Sequence, residues 1–209
     1  MKIGILGSGL RGSKLGTIFA RAGHEVIFSY SRSPEKLKQL ARNAGGKAKA
    51  GTPREAAQES DVLLLAIHWS RIDDVLELVG DLTGKLIMSC TLPMNASNTD
   101  LVIGHTNSGS ETLAKKLPKS KFVCVFNTIP SEVLFDVFNL KDKENKPSLV
   151  YCGDDLSSKK IAAELIRDVG FIPVDAGPLK VARYTEPFAL LVGQLAYNGK
   201  EGPELAYRF

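Results

Sequence analysis

The sequence predicts an α/β protein built on a doubly wound parallel sheet, and three observations carry that prediction. Short apolar strands alternate with amphipathic helical segments along most of the 209 residues, the rhythm of successive βαβ units. Asp61 to Ile67, DVLLLAI, is almost wholly apolar with no alternation, as a central parallel strand covered on both faces must be. A tight glycine-rich turn, Gly7 to Gly12, joins the first strand to the first helix.

The elements follow in order. Lys2 to Leu6 reads as an apolar strand. Leu15, Ile18, Phe19 and Ala22 then recur at helical spacing until Gly23 stops the helix. Glu25 to Ser29 is a second strand, and Pro34 suits the first turn of a second helix carrying Leu37, Leu40 and Ala41, where its missing N–H costs little. Residues 47–50 form a short strand, and Thr52 caps a helix running from Pro53 through Ala57. After the apolar strand come a helix through Leu82 and a strand at Lys85 to Met88. Asn95 to Ser110, rich in Asn, Ser, Thr and Gly, is a loop leading to a helix at Glu111 to Leu117 and a strand at Lys121 to Phe126.

Beyond about residue 127 the rhythm changes. Asp142 to Pro147 is a charged turn, Leu149–Cys152, Ser157–Val169 and Phe171–Val174 give a strand, helix and strand, and Val181 to Tyr197 is helical with a break near Pro187. The sequence thus divides into a nucleotide-binding domain, 1–126, and a smaller C-terminal α/β domain, 127–209, that closes a second pocket.

Composition narrows the partners. With 44% hydrophobic and 24% charged residues the chain is globular. The net charge of +4 is mild and spread along the sequence, which speaks against nucleic acid. The three cysteines, Cys90, Cys124 and Cys152, are odd in number and lack CxxC spacing, so neither a disulfide framework nor a metal site is expected. No apolar run approaches the roughly 20 residues that span a bilayer. The expected setting is therefore the cytoplasm, with no membrane.

G7SGLRG12 is a GxGxxG turn between a strand and a helix inside a βαβ unit, the Rossmann arrangement for a dinucleotide. Gly7 permits the turn, Gly9 lets a pyrophosphate approach the backbone, and Gly12 lets helix and strand pack closely. Free N–H groups and the helix dipole hold the anion. After the second strand, FSYSRSPEK lacks the carboxylate that would hold a ribose 2′-hydroxyl and repel a 2′-phosphate. Ser31, Arg32 and Lys36 stand there instead: a hydroxyl, a guanidinium fork and a second cation, all suited to phosphate. The expected cofactor is NADP(H).

These residues, together with A66IHW69, N127TIPSEV133, C152GDD155 and D175AGPL179, resemble the F420-dependent NADP oxidoreductases, which move hydride between NADP(H) and a deazaflavin. The reductase domains of the STEAP metalloreductases are similar too. The resemblance implies that Ser8, Gly9, Leu10 and Arg11 line the pyrophosphate and that Ser31, Arg32 and Lys36 hold the 2′-phosphate. It also implies that Ile67, His68 and Trp69 sit beside the nicotinamide ribose, with Ser131 near the carboxamide. His68 and Asn127 depart from the family's usual Pro and His, so the acceptor stays open between coenzyme F420, FMN or FAD, and a quinone.

Hydride transfer between two rings needs no protein nucleophile. His68, at a strand's C-terminal end, is the candidate to protonate a reduced product or hydrogen-bond an acceptor. Asp154 and Asp155 read as an N-cap rather than a metal pair. The expected function is an NADP(H)-dependent oxidoreductase acting as a homodimer on a small-molecule acceptor. The alternative is an NADP(H)-binding sensor without turnover. Pyrroline-carboxylate reductases and β-hydroxyacid dehydrogenases have similar N-terminal halves but append a long helical domain, and the two strands expected beyond residue 127 disfavour that reading.

Overall fold

The computed structural model describes residues 1–141, 145–200, 202–204 and 206–209. Its centre is an eight-stranded sheet, flanked by helices, in the order β3-β2-β1-β4-β5-β6-β7-β8. Here β1 is Lys2–Leu6, β2 Glu25–Ser29, β3 Lys49–Ala50, β4 Val62–Leu65, β5 Leu86–Ser89, β6 Lys121–Cys124, β7 Ser148–Gly153 and β8 Ile172–Asp175. The helices are α1 Leu10–Arg21, α2 Pro34–Ala44, α3 Pro53–Glu59, α4 Ile72–Val79, α5 Gly109–Lys116, α6 Leu134–Phe138, α7 Leu156–Val169 and α8 Ala182–Asn198.

Strands β1 to β6 are parallel, with β1 between β2 and β4. Alternate residues of one strand feed two cores. Val62 and Leu64 join Leu15, Ile18 and Ile166 on one face, while Leu63 and Leu65 join Ala56, Val75 and Leu113 on the other. That two-sided burial is why β4 reads as an unbroken apolar run.

The β7–α7–β8 unit extends the same sheet through an antiparallel contact, with Cys124 directly opposite Cys152. Of the charged turn expected at Asp142 to Pro147, residues 142–144 lie outside the described residues. The expected break at Pro187 is absent, because α8 runs unbroken through it. The proline costs about 3 kcal/mol, offset by the burial of Ala189, Val192 and Ala196 and by an anchor immediately before it. Glu186, 1% exposed, accepts hydrogen bonds from Gly109 N (2.7 Å), Ser110 N (2.9 Å) and Ser110 Oγ (2.9 Å) at the start of α5.

After β8 the chain returns over one face of the sheet. Leu179 O lies 3.9 Å from Cys152 Sγ, and Thr185 Oγ1 3.8 Å from Cys124 Sγ. The second half of α8 then reaches the carboxyl edge of the parallel strands, where open α/β sheets hold their ligands.

Candidate functional site

The glycine turn leaves β1 at that edge. Gly7 has φ +120°, and a Cβ there would lie 2.3 Å from Ala66 O. At Gly12 it would lie 2.0 Å from Gly7 O, so both positions require glycine. Gly9 differs: a Cβ there would meet nothing within 4 Å. The space above it is open, as a pyrophosphate close to the backbone needs. Ser33, Thr52, Ser108 and Asp155 cap α2, α3, α5 and α7 with side-chain oxygens. At α1 the cap is Gly9, no side chain accepts from the first turn, and no acidic residue lies in it. Its N–H groups are thus left for an anion.

Ser8 Oγ donates to Tyr30 O (3.3 Å), tying the turn to the end of β2. Leu10 is exposed. Arg11 is placed differently from a free pyrophosphate ligand. Its guanidinium donates to the carbonyls of Phe126 and, at 2.9 Å, Ile129, bridging α1 to the loop after β6.

At the end of β2, Ser31 opens onto a cavity of about 440 Å³ that Tyr30, Leu37, Gly51, Pro53 and Leu78 also line. Ser31 Oγ accepts from Ser33 N (3.2 Å), leaving its own proton to donate. Arg32 and Lys36 are exposed, and neither is in an ion pair among the described residues. The nearby carboxylate of Glu35 is held by Arg42 (3.0 Å) and Lys38 (3.6 Å) instead. Two cations thus stand beside Ser31 with no protein counter-ion.

Tyr30 and Arg71 carry no local signal that sequence reasoning could have found. Tyr30 adopts a left-handed φ of 59°, a conformation costly for a bulky residue. Its hydroxyl accepts from Arg71 Nε at 3.0 Å, and Arg71 also pairs with Asp74 at 2.7 Å. The bond joins the end of β2 to the start of α4.

Ile67, His68 and Trp69 follow β4. Ile67 O accepts from Thr91 Oγ1 at 3.1 Å. Trp69 opens a single 3₁₀ turn and packs, half-buried, against the core. His68 bonds at both ring nitrogens, to Ser70 Oγ (2.9 Å) and Asn98 Oδ1 (2.7 Å). Ser131 is buried beside Ile129 and Pro130.

A second cavity, about 510 Å³, lies at the same edge and adjoins Arg11. Its walls come from both halves of the chain: Met94 and Asn98 on one side, Asn127, Pro130, Gln194 and Tyr197 on the other. Carboxamides dominate the polar lining, with apolar side chains between them and no carboxylate among the lining residues. Asn127 Nδ2 donates to the buried Cys124 Sγ at 3.2 Å. The neighbouring Cys152 thiol holds Cys124 below the usual thiol range, and Cys124 together with burial raises Cys152. Burial pushes the Cys90 thiol up to about 11, so it is inert. Asp155, expected as a cap, accepts from Ser158 N (2.8 Å). The hydrogen bonds from Ser157 and Ser158 hold its carboxyl well below the usual range.

Residues 2–93 match the family model described as NADP oxidoreductase, coenzyme F420-dependent. The F420-dependent NADP reductase of Methanothermobacter marburgensis is 27% identical over 92% of this chain and 91% of its own length. Metalloreductase STEAP3 of Rattus norvegicus is 28% identical over 90% of this chain, which spans 36% of that protein. The crystal structure of a candidate F420-dependent NADP reductase from Arthrobacter sp. FB24 superposes with a TM-score of 0.87 over 100% of this chain and 99% of its own, at 21% identity. The chain is thus similar to the F420-dependent NADP reductase and to the STEAP metalloreductases, and residues 2–93 are the part that the F420-dependent family model describes.

Proposed function

We propose that the chain is an NADP(H)-dependent oxidoreductase that exchanges a hydride with a deazaflavin or flavin ring. One observation carries the reading: an open glycine turn, two unpaired cations beside Ser31 and a carboxamide-lined cavity share one edge of the sheet. The cations select the 2′-phosphate, and the uncapped start of α1 takes the pyrophosphate. The bound nicotinamide supplies the hydride chemistry.

The remaining task of the protein is placement. Asn98, Asn127 and Gln194 offer both donors and acceptors, suited to the alternating carbonyl and N–H edge of a pyrimidinedione ring. Met94, Ile129 and Pro130 flank the ring and exclude water. The lack of a lining carboxylate suits the negative charge that the ring gains with the hydride, which an anion beside it would repel. In this reading residues 127–209 supply the outer wall. The setting is a reducing cytoplasm that keeps the three buried thiols free, and the exposed apolar Tyr184, Leu191 and Leu195 of α8 pair two copies.

The test is absorbance at 340 nm while coenzyme F420, FMN, FAD and quinones are added in turn to protein and NADPH. Turnover with a deazaflavin or flavin is expected. NADPH binding with no acceptor reduced would favour a sensor instead, and equal affinity for NADPH and NADH would remove the basis of the reading.

A further inference from the structure

The His68 ring has no nitrogen to spare. Nδ1 lies 3.3 Å from Ser70 N, a group that can only donate, so Nδ1 accepts and the ring proton sits on Nε2. That proton points at Asn98 Oδ1, 2.7 Å away. Asn98 is itself held in a left-handed φ of 56°, at the tip of a loop closed by its own bonds. Asn98 N donates to Asn95 O (3.1 Å), Asn95 N to Asp100 O (2.9 Å) and Thr99 N to Asn95 Oδ1 (3.0 Å). This small rigid unit presents Ser97, Asn98 and Thr99 to the 510 Å³ cavity. Its base is fixed by a bridge between Met94 and Leu101.

From this geometry we propose that His68 is a positioning residue: its Nε2–H latches the 95–100 loop to the end of β4 and so sets one wall of the acceptor cavity. It acts through Asn98 and not as an acid, since its single ring proton is committed to that amide. The proposal rests on the reading that this cavity takes the acceptor.

Two measurements on His68→Ala, His68→Gln and Asn98→Ala in the full chain test it. The first is amide hydrogen exchange at residues 97–99, which needs no turnover. Exchange should quicken in H68A and N98A and return toward the parent rate in H68Q, whose amide can also donate to Asn98. The second is steady-state reduction of FMN by NADPH. The KM for FMN should rise about tenfold in H68A and N98A, about 1.4 kcal/mol, with a smaller change in kcat and partial recovery in H68Q.

Unchanged exchange in H68A overturns the latch. A loss of kcat in both H68A and H68Q with KM unaltered also overturns it, because that is the signature of an acid. Quicker exchange with an unaltered KM removes the loop from the acceptor wall but leaves hydride transfer standing. Failure of the parent protein to reduce any acceptor sinks the function, while the exchange result still judges the latch.

Discussion

In the proposed reading Arg32 carries the coenzyme choice in a single side chain, exposed and free of any carboxylate partner among the described residues because Arg42 and Lys38 occupy Glu35. Replacing it with Ala should weaken NADPH at least tenfold, about 1.4 kcal/mol, and leave NADH unchanged when both are titrated calorimetrically. Two glycines of the turn should behave oppositely. Gly9→Ala meets no atom within 4 Å, so the variant should fold with parent-like circular dichroism yet lose NADPH affinity, as the methyl fills the anion's space. Gly12→Ala sets a methyl 2.0 Å from Gly7 O and should not yield folded protein. The geometry of the turn and the exposed cations were legible in the sequence, because spacing within one turn and the sign of a charge are local properties. The role of Arg11 was not: its carbonyl partners lie 115 and 118 residues away, beyond any local pattern.

The same divide appears among the elements. Helix starts at Ser33, Thr52 and Asp155 could be read from residue type, since a hydroxyl or carboxylate before a helical run satisfies its first N–H groups. The join between α5 and α8 could not, for Glu186 reaches its partners across 76 and 77 residues. That is why Pro187 read as a break. Glu186→Ala strips the donors at the start of α5 and leaves a void, so it should lower stability by about 3 kcal/mol in urea denaturation.

Burial raises the Glu186 carboxyl above its ordinary value of 4.5, outweighing the hydrogen bonds that lower it. The folded chain then binds this proton more tightly than the unfolded chain. Its contribution to stability is full below pH 4.5 and declines as pH rises through the raised folded value. Stability of the parent should therefore fall over that range relative to Glu186→Gln, in which the decline is absent.

For the molecule as a whole, coenzyme binding should appear as added stability. Ligand at about 100 times its Kd contributes about 2.7 kcal/mol, a rise of roughly 5–10 °C in Tm for a chain of this size. NADPH should produce that rise in a thermal scan, and NADH at the same concentration should not. The parallel run from β1 to β6 was visible in the sequence because burial on both faces imprints an unbroken apolar signature. The direction of β7 was not, since periodicity marks a strand without saying which way it runs.

That reversal between β6 and β7 has an evolutionary corollary. The C-terminal unit turns only the amino ends of its strands toward the ligand edge and delivers the last helix there, later in the chain than every strand. The cavity-lining Leu190, Gly193, Gln194 and Tyr197 can therefore drift without disturbing the glycine turn. Descendants of one ancestor could keep a shared electron source while trading one oxidant for another.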